Sequence, residues 1–505
     1  MGLWLSEAGL AALPESVIRP AYDRSALEPG IVHLGVGNFH RAHQAVYTDD
    51  VLAQDPRWGI VGVSLRHADM RDALAPQQGL YALLEQGAGR PERARIVGSL
   101  REVLVAPQEP KAVVRRLVDP ATRIVSLTIT EKGYCRTPEG ELDLDDAAVR
   151  ADLDPGAQPT TALGFVLAAC AHRQAAGLPG FTVLSCDNLA ANGDMTRALL
   201  LRFADARGRG LGAQASRGSL TRWIEQELAF PNGMVDRIVP HTTDALRDRM
   251  QGLLGLRDRW PVSTESFSQW VLEDRFVAGR PPWQLAGVQF VADVAPYEDM
   301  KLRLLNAAHS AIAYLGVPAS LDTVDAAVAQ PAVRAFVERF WRTEAIEALP
   351  EDLHDRAYPY CQALMNRFEN TALAHRTAQI AMDGSQKLPL RLLPTVRARL
   401  RSGGTIDACA LVIAAWIRFL VGRTESGQAY EISDPLFAKL RAALSGSDGS
   451  AAGQVGAVLS VPGLFGADLA DHAGLRGAVT RELTGLARLG TIGWLAQWPH
   501  SGRVL

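Results

Sequence analysis

Cysteine is scarce in this chain of 505 residues. The five, Cys135, Cys170, Cys186, Cys361 and Cys409, are odd in number, widely spaced and never arranged as C-x-x-C. That pattern excludes a disulfide framework or a zinc ribbon and fits a reducing cytoplasm. Charge of one sign is lacking too. The formal net charge is −3, with no basic block and no interleaving of aromatic and basic residues, which excludes nucleic acid as the main partner. Long hydrophobic runs are missing. The N-terminus, Met1-Gly2-Leu3-Trp4-Leu5-Ser6-Glu7, has neither the basic stretch nor the apolar run of a signal peptide. Near the C-terminus, the apolar run Ala408 to Ile417 stops at Arg418, too soon to span a membrane. What remains is an ordinary globular composition, 48% apolar and 21% charged, over a length that supports two or three domains. The expectation is a cytoplasmic protein with a small-molecule partner, no membrane and no nucleic acid.

From Gly30 to Gln44 the chain reads as a strand, a tight glycine turn and a helix start. Gly35 and Gly37 leave the backbone bare, so a pyrophosphate can approach the N–H groups of the turn. His40 stands where the usual G-x-G-x-x-G has its third small residue, and a plain strand-to-helix turn fits this segment equally well. On the dinucleotide reading, Gly35, Gly37, Asn38, Phe39 and His40 form the cofactor turn. Beyond the next strand, Asp69 is placed for the ribose hydroxyls of NAD. Arg66 close by leaves NADP possible.

Short apolar runs alternate with helical stretches over this region. Ile31–Leu34, Trp58–Leu65, Arg123–Thr130 and Phe181–Cys186 read as strands buried on both faces of a parallel sheet. Tyr81–Glu85 with Ala94–Val97 reads as a hairpin. The simplest account of residues 1–285 is a Rossmann-like α/β domain. After Pro281-Pro282 the pattern turns helical. Tyr297–Leu315, Val333–Ile346, Ala357–Phe368, Pro394–Ser402, Ile406–Val421 and Asp434–Leu444 are expected helices, and Ser445–Gly453 an expected loop. Residues 286–505 thus read as a mainly α-helical domain, with the active site expected in the cleft between the two.

The segment Lys301-Leu302-Arg303-Leu304-Leu305-Asn306-Ala307-Ala308-His309 carries the chemistry. On a helix, Asn306 and His309 are stacked neighbours. Lys301 lies within roughly 140° of both, about two turns back, and has a long arm. A lysine with its pKa lowered by burial can exchange a proton with an alcohol. Asn and His can donate to an oxygen that gains negative charge. Without context, a snorkelling lysine and a core histidine explain the same residues.

Context comes from Gly35–Gln44, Thr128-Ile129-Thr130-Glu131-Lys132-Gly133-Tyr134-Cys135, Ser185-Cys186-Asp187-Asn188 and Lys301…Asn306…His309, in that order. Met234–Pro240, Gln269–Asp274 and Met382–Lys387 fit as well. Together they resemble the mannitol dehydrogenase family of polyol-specific long-chain dehydrogenases, from about Pro20 to about Pro435. The resemblance implies an NAD(P)-dependent oxidation of CH–OH without a catalytic metal, in a protein that is often a monomer. It assigns Lys301 as general acid/base, and Asn306 and His309 as polarising groups. It further implies that Asn188 binds substrate hydroxyls, that Lys387 lies near the pocket and that Glu298 relays the proton of Lys301.

Two substrate branches are implied. One oxidises a hexitol, mannitol to fructose; the other reduces fructuronate to mannonate. A carboxylate end group needs a cation. Lys132, after Glu131, stands where typical mannitol enzymes carry glycine, and with Arg376 it is the expected carboxylate partner. The segment His375–Lys387 looks more like the fructuronate branch. Ala378, Ala307 and Ala308 depart from that branch's Trp and Gly-Ser. The hexitol branch therefore leads and fructuronate reductase is the alternative. A non-catalytic dinucleotide-binding sensor on the same fold is the alternative of another class.

Overall fold

The computed structural model describes residues 3–87, 90–137, 139–210 and 219–498. The chain divides into two compact units, Met1–Ala295 and Pro296–Leu505.

Along the first unit run β1 (Ile31–Leu34), β2 (Ile60–Ser64), β3 (Tyr81–Gly87), β4 (Arg90–Val97), β5 (Leu100–Val105), β6 (Ile124–Leu127) and β7 (Thr182–Ser185). Then come β8 (Gly233–Asp236), β9 (Val262–Glu265), β10 (Gln269–Glu273) and β11 (Gln289–Val291). The main sheet is parallel, in the order β5-β2-β1-β6-β7. The chain first winds outward from β1 to β5, then returns to the other side of β1 for β6 and β7. The order reverses between β1 and β6, and that switch point opens a crevice at their carboxyl ends.

Alternation along the strands divides the core. Val32, Leu34, Val61, Val63, Val125 and Val183 face one layer, which includes the helix Ala162–Ala175. Ile31, Ile60, Ile124 and Leu184 face the other, with Trp58, Trp270 and Trp283. Every residue of β1, β2, β6 and β7 is buried, as expected for strands covered on both faces. The anticipated hairpin is present as antiparallel β3 and β4, joined by β9 into a separate sheet. The edge strand β5 was not anticipated: its Arg101 and Glu102 are exposed and break the apolar run. The strand expected over Arg123–Thr130 ends at Leu127, because the Ile129 and Thr130 N–H groups turn away to the Asp187 carboxylate. β11 lies past residue 285 and pairs with β10, so this unit extends to Ala295.

The second unit is helical, with no strand among its described residues. At its centre the helices Ala307–Gly316 and Asp407–Phe419 pack on each other, nearly all their residues buried. The apolar run Ala408–Ile417 is therefore core. Among the described residues no helix is long and apolar enough to cross a membrane. The expected loop Ser445–Gly453 gives way to a helix at Ala451, where Ser450 accepts from the Gly453 N–H as an N-cap. The helix Ala473–Gln497 was not expected, since five glycines interrupt its sequence. Gly490, at φ 68°, breaks its path.

Candidate active site

In the first unit the site starts from the turn after β1. Gly35 has φ +98°, and a Cβ there would sit 2.2 Å from the Thr128 carbonyl oxygen. Only glycine fits that approach. At Gly37 an added Cβ would meet nothing nearer than the Gly35 oxygen, at 3.8 Å. Bare backbone thus faces open space. A cleft of about 460 Å³ opens here, lined by Gly35, Ser64, Arg66, Asp69, Thr128 and Lys132 among others. These residues follow β1, β2 and β6, so the cleft lies at the switch point. Arg66 and Asp69 are both exposed to it. A glycine cradle with a carboxylate and a guanidinium at the rim suits a dinucleotide: bare backbone for the pyrophosphate, Asp69 for ribose hydroxyls.

A buried polar chain fixes the cradle from below. Ser126 Oγ donates to Gln44 Oε1 at 2.8 Å. The His33 ring nitrogens lie 2.8 Å from Ser126 Oγ and 2.8 Å from Thr128 Oγ1. Thr128 Oγ1 donates to the Gly35 carbonyl, also at 2.8 Å. Burial holds His33 neutral, its pKa lowered to about 3. His40 is fully buried and its ring stacks on His33 at 3.5 Å, while Phe39 stacks on His43 at 5.0 Å. Asn38 donates to the Pro240 oxygen and accepts from Arg41. His40 thus supports the turn from its buried side, Asn38 and Phe39 are half-buried at the helix start, and the cleft wall includes Gly35, Arg66 and Asp69.

On the far side of the switch point, Asp187 organises the loop after β6. Its carboxylate accepts from Ile129 N at 3.0 Å, Thr130 N at 2.9 Å and the Tyr134 hydroxyl at 2.8 Å. Burial pushes its pKa up, and these hydrogen bonds oppose that shift. Thr130 has φ +62°, a costly left-handed conformation for a β-branched residue. The loop positions Glu131 and Lys132, both exposed, with Lys132 in the cleft wall. Asn188, next to Asp187, is exposed.

In the second unit the segment Lys301–His309 is not a plain α-helix. The helix Ala295–Met300 holds half-buried Glu298 and runs into a π-helical turn, Lys301–Asn306, followed by the helix Ala307–Gly316. The Ala307 N–H donates five residues back, to the Leu302 oxygen. In such a turn, residues five apart come close on one face, so Lys301 is not rotated away from Asn306 as a regular helix requires. The Leu304 carbonyl accepts from the Trp341 indole N–H at 2.9 Å. Lys301, Asn306 and His309 are all buried. Asn306 Nδ2 and His309 Nε2 are buried with no hydrogen-bond partner among the described residues.

The surroundings of His309 are cationic. Burial drives its pKa well below 6.5, and the neighbouring His375, Arg367 and Arg391 push the same way. Its ring lies 4.8 Å from Phe368 and 5.4 Å, edge-on, from His375. Arg391 ends the helix Gly384–Arg391, and Nη1 lies 3.3 Å from Ser310 Oγ and 3.5 Å from the Asn306 oxygen. Lys387, on the same helix, donates to the Ile380 oxygen at 3.2 Å. Arg376 is exposed at the start of the helix Thr377–Ile380. Sequence reasoning missed Arg367, Arg391 and Trp341. Nothing in their spacing links them to residue 309, because distant helices bring them there.

Two domain families match the chain: Mannitol dehydrogenase Rossmann domain over residues 29–285, and Mannitol dehydrogenase C-terminal domain over residues 293–487. The D-mannonate oxidoreductase of Escherichia coli is 42% identical over 485 residues, covering 94% of this chain and 96% of that protein. A mannitol 2-dehydrogenase of Pyrenophora tritici-repentis is 40% identical, covering 98% of this chain and 86% of the relative. Among solved structures, Pseudomonas fluorescens mannitol 2-dehydrogenase in ternary complex with NAD and D-mannitol superposes with TM-score 0.85 at 38% identity, covering 98% of this chain and 99% of that one. D-sorbitol dehydrogenase in substrate-free form gives 0.87 at 36%, covering 98% and 100%. The chain belongs to the mannitol dehydrogenase family. It is an NAD-dependent oxidoreductase built on an N-terminal Rossmann domain.

Proposed function

We propose that this enzyme interconverts a secondary alcohol and a ketone at C2 of an acyclic six-carbon sugar derivative. Lys301 is the general acid/base, and Asn306 and His309 are donors to the reacting oxygen. The observation that carries this reading is the pair of partnerless buried atoms, Asn306 Nδ2 and His309 Nε2, on the helix that continues from Lys301. Each such atom costs about 1–3 kcal/mol while unpaired. A substrate oxygen satisfies both.

NAD, when bound in the cleft of the first unit, accepts or supplies the hydride. The chain's own residues manage the oxygen and its proton. As the ketone is reduced its oxygen gains negative charge, and the two fixed donors stabilise that charge without reorganising. Lys301 then protonates the oxygen, and in the oxidation direction it takes the alcohol proton. His309 stays neutral, so with its hydrogen on Nε2 it donates to the oxygen while Lys301 alone exchanges the proton. Glu298, one turn ahead of Lys301, connects the lysine with solvent. Asn188, Glu131 and Lys387 are assigned to the remaining hydroxyls. Gly35, Gly37, Arg66 and Asp69 hold the cofactor.

Of the two substrate branches, the cations around His309 favour the acid, D-mannonate with fructuronate. Neutral mannitol with fructose, which leads on sequence alone, becomes the second reading. The test is a spectrophotometric screen with NADH and NADPH against fructose, fructuronate, tagaturonate and other ketoses. A kcat/KM for fructuronate well above that for every neutral ketose supports the acid branch, and the reverse order returns the assignment to mannitol. NADH binding with no turnover of any of them leaves only the dinucleotide-binding sensor.

A further inference from the structure

Arg391, half-buried, differs from two buried arginines of this protein, Arg173 and Arg24. Arg173 spends its guanidinium on four backbone carbonyls, those of Leu117, Asp119, Thr122 and Pro179, at 2.7–3.1 Å. Arg24 pairs with Glu7 and caps the carbonyls of Gln78, Gly98 and Leu100. Arg391 uses a single nitrogen, in contacts of 3.3 and 3.5 Å. Both are long for a charged donor, which prefers about 2.7–2.9 Å. Among the described residues no carboxylate pairs with it. The nearby Tyr314 hydroxyl is buried and also lacks a partner. Desolvation lowers the pKa of Arg391, yet the side chain is only half-buried and its remaining N–H groups are not among the buried atoms without a partner, so they are open to a ligand. A half-buried cation without a counter-ion is a ready partner for an anionic ligand. Its place is informative: it touches Ser310 and the backbone of Asn306, on the helix that presents Asn306 Nδ2 and His309 Nε2.

We propose that Arg391 receives the carboxylate at the unreacted end of a keto-hexuronate, and that this pairing selects the acid over neutral ketoses and hexitols. The inference rests on the C2 oxidoreductase reading above and adds the determinant of its substrate class. Of the five N–H donors of the guanidinium, the fork that remains matches a carboxylate bidentately. A neutral hydroxymethyl end leaves the cation unpaired, so discrimination comes from the unmet charge as well as the gained bond. The two cations expected from sequence are less suited: Lys132 lies in the dinucleotide cleft wall and Arg376 is exposed.

The test compares kcat/KM for fructuronate and for fructose, with NADH, in the intact enzyme and in Arg391→Met and Arg391→Lys, each checked by thermal unfolding. The expected result is a fall in the fructuronate-to-fructose ratio of roughly 10- to 150-fold in Arg391→Met, the range for a lost charge-assisted pair. Arg391→Lys restores part of it, since lysine keeps the charge but loses the fork. If Arg391→Met does not fold, Arg391→Lys carries the test alone, and the ratio must still fall. A ratio within twofold of the parent in a folded variant overturns the proposal, because a structural role lowers both substrates together. An intact enzyme that prefers neutral ketoses overturns it as well. Turnover of neither substrate, with NADH still bound, overturns the C2 oxidoreductase reading itself.

Discussion

Trp341→Phe tests whether the π-turn is part of the catalytic apparatus. The Trp341 indole N–H donates to the Leu304 carbonyl at 2.9 Å, inside the turn that carries Lys301 and Asn306. Its ring stacks on Phe368 at 6.0 Å, and Phe368 packs against His309 at 4.8 Å. One side chain thus supports both ends of the segment. Phenylalanine keeps most of the ring but removes the indole donor to the Leu304 carbonyl, a net loss of about 0.5–1.5 kcal/mol. Without that tie the turn can relax to α geometry, where five residues advance to a position roughly 140° away. Lys301 then leaves the face of Asn306. A misplaced reactive group typically costs about 10²-fold in rate. The expected result is a kcat lower by about that factor, an NADH dissociation constant unchanged in a fluorescence titration, and a modestly lower Tm. A variant that loses stability but keeps kcat within twofold would show that the π-turn does not depend on Trp341, and the reasoning fails.

Lys301→Ala should lower kcat by about 10²–10⁴-fold while NADH still binds, and should remove the lysine limb of the pH–rate profile; activity within a few-fold of the parent rejects the acid/base role. Asn306→Ala and His309→Ala should each cost about 2.7–4 kcal/mol in kcat/KM, with little change in NADH affinity. If the main effect falls on cofactor binding instead, these residues are not oxygen donors. Asp69→Ala should weaken NAD and shift preference toward NADP, with Arg66 free to pair the 2′-phosphate; an unchanged NAD/NADP ratio removes Asp69 from the site. The contribution of the buried histidines to stability should fall as pH drops from 7.5 to 5, while Glu344, whose pKa burial raises to about 7, contributes in the opposite direction. His33, with its folded pKa depressed to about 3, stays neutral there while the unfolded chain takes up a proton below about 6.5. That one residue contributes about 2 kcal/mol of loss by pH 5. His40, His309 and His375 shift in the same direction, so the check is an NMR titration of the folded protein: imidazole signals of these residues that titrate near 6.5 contradict the buried neutral state.

The sheet was legible where burial on both faces made strands into plain apolar runs, as at β1, β2, β6 and β7. It was not legible at β5, where an edge position tolerates Arg101 and Glu102, so the run that marks a buried strand never forms. Gly35 was legible as a backbone requirement, because its contact with the Thr128 carbonyl excludes any side chain. His40 reads as a misfit within a glycine motif. Its position on the His33 ring shows why: below this turn the chain packs two neutral imidazoles instead of a small residue. Asp187 was visible only as part of a polar cluster after β7. Its task, holding Thr130 in a left-handed conformation across the switch point, depends on a pairing of loops 57 and 58 residues apart in sequence. Arg391 lies 81 and 85 residues from its contacts. Such partners carry no local signal.

The spacing of Lys301, Asn306 and His309 did hold a signal that a regular helix conceals. At α-helical pitch Asn306 and His309 share a face and Lys301 points roughly 140° aside, so a long flexible arm must be invoked to bring the lysine in. Inserting one extra residue per turn removes the conflict: an i→i+5 bond, such as that from Ala307 N–H to the Leu302 oxygen, brings positions 301 and 306 together directly. The gain is orientation. A lysine that reaches its target from the adjacent position is held in fewer rotamers than one stretched across a helix face, and a general acid works only when its proton lies within hydrogen-bond reach of the reacting oxygen. The turn is also tied to its surroundings, since the Trp341 indole N–H donates to the Leu304 carbonyl from the helix opposite. Two polar residues five apart in a buried helix, with a third that fixes the face, are therefore a reason to look for a π-turn.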